Sequence, residues 1–560
     1  MKTAKSGRFD NDQDNNDKKT MRYMRKLLFI LTVLFALPMA AQTSFDEFRK
    51  QQQADFNKFK KDSQEEFDAF RKKMNEEYAE FMRQAWEAFP MHKADQPVKE
   101  KEVPPVVYEE PKPAPAPQPS PAPQPRPKED EKSKPTPTPQ PAPAPTPQPA
   151  PAPTPQPKPK EEEKPVQIAV KPKVEVVPAP QPTPEPIAPV KPKEEPYKKV
   201  SIGYFGTIIT IGFPTDDNLK LRALKENAIA DAWKQLTDSR YDITVSTALN
   251  ARKANALCDW AYMKMLQAAT EKQYGKTNEA VLAQAFLMMQ SGYRIRLGMD
   301  DKRLYMLVAS LYDIFGYNYY MLDGTKFYNV SDNQDANIRI TKANYGKEKS
   351  LSLQMTQLPK LNSDPTPKRT LTSRKGVTAS ASVNKNMIDF FNTYPQACFN
   401  GDQSTRWAAY ANTPMEKSIK DMLYPPLKKT IANMTERDAV GIILNWVQTA
   451  FEYGYDDKIW GGDRAFFAQE TLYYPYCDCE DRAILFSRLV RDLLGLDVVL
   501  LYYPGHLATA VAFSNDNVNG DYLTYKNRKY IVCDPTFINA GVGRTMPDMN
   551  NKQAQVIALK

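Results

Sequence analysis

Histidine is almost absent from this chain: two occur among 560 residues, His92 and His506. Any chemistry in the C-terminal half that needs an imidazole must therefore use His506. Cysteine is nearly as sparse. There are five, and none precedes Cys258, which argues against a lipid-modified cysteine near the N-terminus. Five is odd, so at least one thiol stays outside any disulfide. Long apolar runs are missing too. The one such run, Leu27 to Leu37 broken by Thr32, is short for a membrane span, which takes about 20 residues. Met24-Arg25-Lys26 precedes it and Pro38, Ala40 and Ala41 follow. The pattern reads as an export signal cut near Ala41, with an uncleaved anchor as the alternative and translation starting at Met21 or Met24. A strong charge imbalance is also lacking. The formal net charge is +9, residues 1–41 hold +4 of it, and no basic stripe is interleaved with aromatics. Nucleic acid is not an expected partner.

Proline is abundant, with 49 residues gathered mostly into one stretch. From about Gln96 to Glu195, Pro-Ala-Pro and Pro-Thr-Pro-Gln units recur. Proline fixes φ and removes backbone donors, so residues 96–196 read as an extended, coreless spacer. Before it, aromatics recur every eleven residues: Phe45, Phe56, Phe67, Tyr78 and Phe89 at one position, Phe48, Phe59, Phe70 and Phe81 three residues on. Eleven residues in three turns predict a long helix over 42–92 with one narrow aromatic stripe. Such a helix cannot bury its stripe alone, which implies self-association through residues 45–89 or contact with a cell-envelope component.

Foldable sequence resumes near Lys198. Residues 197–361 read as a mixed α/β domain, the polar stretch 362–385 as a linker, and 386–560 as a second mixed domain. Its chemistry concentrates around Cys479. Ala483, Phe486, Val490, Leu493 and Leu494 follow at helical spacing, and Gly495 ends the run. Cys479 thus opens a helix, where free N–H groups favour a thiolate, although Asp478, Glu480 and Asp481 oppose it. Val498 to Tyr503 reads as a strand, Pro504-Gly505 as a turn, and His506 to Phe513 as a second strand. A hairpin around Asn527 leads to Tyr530–Cys533 and then Asp534-Pro535. Cysteine, histidine and aspartate in that order suit thiol-based acyl transfer: the imidazole moves the proton and the carboxylate fixes its tautomer.

The segments Asp478-Cys479-Glu480-Asp481-Arg482-Ala483, Gly505-His506 and Cys533-Asp534-Pro535-Thr536 together resemble the three motifs of the transglutaminase-like superfamily. Gly441 to Val447 is similar to the helix that precedes the first motif, so the resemblance covers roughly residues 430–540. It implies an α+β fold with a papain-like core, catalytic Cys479, His506 and Asp534, Gln469 as a candidate oxyanion donor, and no metal or organic cofactor. The activity implied is that of an exported cysteine hydrolase or acyl transferase acting on a peptide or protein substrate. A zinc site of Cys477, Cys479, Cys533 and His506 is one rival reading. A catalytically inactive binding or scaffold protein of the same fold is another. Residues 276–331 also align loosely with 479–534, with Lys276, Arg303 and Ser331 at the triad positions, which suggests a silent second copy.

Overall fold

The computed structural model describes residues 42–84, 86–97, 103–108, 164–172, 196–334, 337–343 and 348–560, and it is a mixed α+β structure. The export-signal region lies outside the described residues, as do most of the proline-rich tract and the side chains of Phe45, Phe48, Phe56, Phe59 and Phe67. Among the described residues no helix is long and apolar enough to cross a membrane.

Helix α1 (Gln42–Met82) follows the eleven-residue repeat but stops before its last member, Phe89. The reason is strand pairing. Trp86–Ala88 and Met91–His92 take the two edges of a seven-stranded antiparallel sheet, an arrangement incompatible with continuing the helix. His92 therefore sits on an edge strand, stacked on Tyr319. Only Phe89-Pro90 joins the two edges, and the three steps from Ala88 to Met91 reach about 11 Å at most, so the sheet must curl until its edges approach.

The body of that sheet follows helix α2 (Asn278–Gln290) and comprises β1 (Ile295–Met299), β2 (Leu304–Ala309), β3 (Tyr319–Leu322), β4 (Thr325–Asn329) and β5 (Arg339–Thr341), ordered β5-β1-β2-β4-β3. The second half contains α3 (Glu436–Thr449), α4 (Ala468–Tyr473) and α5 (Cys479–Leu494), followed by β6 (Asp497–Tyr503), β7 (His506–Ala512), β8 (Tyr522–Tyr525), β9 (Arg528–Cys533) and β10 (Gln555–Ala558). Its sheet runs β10-β6-β7-β9-β8, these five antiparallel, and Lys171–Pro172 adds a sixth strand parallel to β10 at the edge. The two sheets share order over these five strands and register over four of them. Val308 faces Ile295 and Tyr328, and Val511 faces Val498 and Ile531, each partner 203 residues further on. The side chains inside the curls correspond as well: Leu307, Ala309, Tyr320 and Phe327 in one, Ala510, Ala512, Leu523 and Tyr530 in the other.

One apolar cluster runs from Tyr78 to Ile557 and takes residues from both halves. The stretch 362–385, expected to be a linker, contributes to it through a hairpin of Arg369–Thr372 and Thr378–Ala381 that buries Leu371, Ala379 and Ala381. Its outward Thr and Ser residues give it a polar composition, while every second side chain points into the core.

Candidate active site

The nucleophile candidate owes its position to the start of α5. Asp478 is the N-cap: its carboxylate accepts from the Asp481 N–H at 3.4 Å, and the Asp481 carboxylate accepts from the Asp478 N–H at 3.3 Å. This reciprocal box satisfies two helix-end donors. Asp481 also accepts from the Phe466 N–H at 2.8 Å, tying the preceding loop to the helix. Cys479 follows as the first helical residue, 3 % exposed. At the far end Gly495 takes φ 69° and closes the helix.

His506 opens β7 directly after a two-residue turn. Pro504 fixes the first turn position and Gly505 takes φ 77°, a conformation that suits glycine. Tyr503 and His506 pair across this turn, which sets the register of both strands. His506 Nε2 lies 2.8 Å from Asp534 Oδ2, and both side chains are buried. The other Asp534 oxygen, Oδ1, accepts from the N–H groups of Thr536 and Phe537 at 2.9 and 3.2 Å, which holds the carboxylate to its own loop. The carboxylate contact fixes the proton on Nε2 and leaves Nδ1 with its lone pair. Nδ1 is buried and has no hydrogen-bond partner.

Cys479 and His506 line one cavity of about 1250 Å³, together with Arg406, Asp463, Glu480 and Tyr502. The Leu507 N–H, one residue after His506, hydrogen-bonds the Cys479 sulfur and favours the thiolate. That pull loses. Burial raises the thiol pKa well above its ordinary value, and the Glu480 and Asp478 charges add to it. The thiol donates to Glu480 Oε2 at 3.2 Å. Glu480 in turn hydrogen-bonds Asp463, whose carboxyl is pushed up to about 7 by burial and then by the Glu480 charge, despite the Arg406 ion pair.

A pH dependence follows for Asp463. Its folded pKa lies above the unfolded value, so the folded state prefers the proton. The associated stability is complete below the unfolded pKa of about 3.9 and is lost as pH rises through about 7. Asp463→Asn is therefore expected to lose less stability than wild type between about pH 5.5 and about pH 8. Urea unfolding at the two pH values measures this, and an equal loss in both proteins contradicts it.

Gln469 is not among the residues that line this cavity. Its Oε1 accepts from the Glu416 N–H at 3.0 Å, and its Nε2 donates to Glu416 Oε2 at 3.2 Å. Helix α4 turns its Gln469 side chain to Glu416, a partner that spacing along the chain does not specify. The thiols of the alternative zinc set are engaged separately: Cys477 takes the Arg482 Nε–H at 3.5 Å, and Cys479 faces Glu480. The three metal-capable side chains that do converge among the described residues, within 4.8 Å, are the carboxylates of Asp456, Asp478 and Glu480.

Two residues to which the sequence assigns no role tie together the loops that carry Cys479 and Asp534. Arg482, fully buried on α5, donates to Gln448 O at 3.2 Å and Phe451 O at 3.0 Å. Gln448 Nε2, on α3, lies within 3.0 Å of the carbonyls of Asp534, Phe537 and Ala540. The helix that Cys479 opens is thus strutted to the Asp534 loop through α3. A buried arginine inside an amphipathic helix was the available signal, since such a charge needs internal partners. Comparison with known proteins adds no relative: no family model, no curated protein and no solved structure matches this chain.

Proposed function

We propose that this protein is an exported transglutaminase-like cysteine hydrolase or acyl transferase that acts on amide bonds through a Cys479 thioester. The observation that carries the reading is the His506 imidazole. Asp534 holds it through Nε2, while Nδ1 is buried and unpartnered, and His506 lines the same cavity as Cys479. His506 Nδ1 takes the thiol proton as Cys479 Sγ bonds to the carbonyl carbon. The same proton passes to the leaving nitrogen as the C–N bond breaks. Water or an amine then attacks the thioester, giving its proton to Nδ1, and the sulfur leaves and regains a proton. With the thiol pKa raised, deprotonation accompanies attack and does not precede it. The residues around Cys479, His506 and Asp534 that resemble the transglutaminase-like motifs support the same reading. On it, residues 276–331 belong to a silent copy, and the shared sheet order and register of the two halves support this.

The test is covalent capture. Incubation with a panel of peptide aldehydes and vinyl sulfones, read by intact and peptide mass spectrometry, is expected to give one adduct, on Cys479. Cys479→Ala gives none and His506→Ala forms it slowly. Labelling spread evenly over the five cysteines sinks the reading.

One observation favours a second reading, an inactive scaffold: the thiol rests on Glu480 and is held protonated. The two readings part at Glu480→Gln. In an active site, removing the adjacent charge lowers the thiol pKa and speeds iodoacetamide alkylation of Cys479 near neutral pH. An unchanged rate favours the scaffold.

A further inference from the structure

Part of the proline-rich tract is built onto the margin of the candidate site. Val103 to Tyr108, sequence Val-Pro-Pro-Val-Val-Tyr, runs along the segments that carry both His506 and Asp534. The Val103 N–H donates to Gly505 O at 2.9 Å, one residue before His506. Further along, Ile538 N–H donates to Val106 O and Tyr108 N–H to Ile538 O, each at 2.8 Å, a parallel bridge centred on Val107 and Ile538. Val103, Val106 and Tyr108 pack on Phe537, Ala540 and Met546. The Tyr108 ring meets Phe537 edge-on at 5.7 Å and lies under the Arg544 guanidinium at 5.7 Å. Pro104 lines the cavity that holds Cys479 and His506.

These contacts are those by which proteins recognise extended peptides: main-chain bonds from alternate residues give affinity, and apolar contacts select side chains. Pro104 and Pro105 hold this segment extended in advance, which cuts the ordering cost of docking. A spacer would need none of this, since neither hydrogen bonds nor buried apolar side chains lengthen a tether. We propose that Val103–Tyr108 fills the peptide-binding groove of the site, so that the enzyme's substrate is an extended apolar peptide with proline facing the cavity and the chain's own segment competes for its place. The inference rests on reading Cys479 and His506 as the reacting pair. A competitor on the same chain acts at a high effective concentration, so the resting groove is largely self-occupied.

The experiment uses the full chain with residues 103–108 replaced by alternating glycine and serine, and a fluorescent synthetic peptide of sequence Val-Pro-Pro-Val-Val-Tyr. Fluorescence anisotropy is expected to show the replaced protein binding the peptide at least about tenfold more tightly than wild type, because the internal competitor is gone. Bound peptide returns the alkylation rate of Cys479 in the replaced protein to the slower wild-type value. Equal peptide binding by both proteins, or bound peptide that leaves alkylation unchanged, overturns the proposal. Should the replaced protein fail to fold, Val106→Ser with Tyr108→Ala removes the apolar anchors and keeps the prolines, and the same two comparisons apply. Binding repeated in a Cys479→Ala background separates the two ideas. Retained binding with an inert Cys479 in the parent refutes the chemistry alone, and a reactive Cys479 with no gain in binding refutes the groove alone.

Discussion

His506→Ala is expected to lower turnover of an amide substrate by about 10²–10⁴-fold while leaving the fold intact. Cys479→Ala lowers it to background. The loss in His506→Ala comes from the proton, because a thiol with a raised pKa is a poor nucleophile until a base removes its hydrogen. The double variant is expected to be no worse than Cys479→Ala, since groups that act as a unit are not additive. Asp534→Ala acts through the imidazole. It frees the Nε2 contact at 2.8 Å and the two N–H groups that Oδ1 holds, so both tautomer and loop are lost. Its effect is expected to fall on kcat more than on KM, as for a residue that positions a base and does not bind substrate. Circular dichroism on each variant separates chemical loss from unfolding.

Arg482→Met carries the largest expected effect on stability. The guanidinium is 1 % exposed and donates to the carbonyls of Gln448 and Phe451, to Cys477 Sγ, and lies 5.3 Å from the Tyr453 ring. Methionine fills much of the volume but leaves two buried carbonyls without that donor, for a cost of about 3–5 kcal/mol. The loss should also reach the site, because the Gln448 amide that Arg482 helps to position holds the Asp534 loop. Urea unfolding measures the first effect and Cys479 alkylation the second. Gln448→Leu is expected to reproduce the second with a smaller first, and a stable, normally reactive Arg482→Met contradicts the strut.

Much of the site was legible because its signals are local. The helix after Cys479, its terminal Gly495, the Pro504-Gly505 turn and the hairpin at Asn527 each depend on residues within a few positions. The antiparallel pairing of β6 with β7 follows from a two-residue turn, and His506 is then fixed at the strand start. What escaped depends on contacts distant in sequence. Gln469 faces Glu416 because of how α4 lies on its neighbours. Asp463 meets Glu480 across a loop and Gln448 reaches Asp534 from another helix, and neither contact leaves a periodic trace. The helix ends at Met82, short of the repeat, for the same reason, since strand pairing at Trp86 overrides an unbroken aromatic pattern. The linker segment at 103–108 was the hardest to foresee. Its composition states only that it is extended, and what it lies against is decided by Gly505 and Ile538.

Cys479 and His506 are proposed to work as a couple. The measurement that tests it most directly is the pH dependence of iodoacetamide alkylation at each of the five cysteines, in wild type and in His506→Ala, read by peptide mass spectrometry. Cys258 and Cys398, each pushed up to about 12 by burial, serve as internal references. Cys479 is expected to label first near neutral pH and its rate to fall about tenfold or more without His506, while the references do not change. A Cys479 that labels no faster than Cys398, or that labels equally with and without His506, contradicts it.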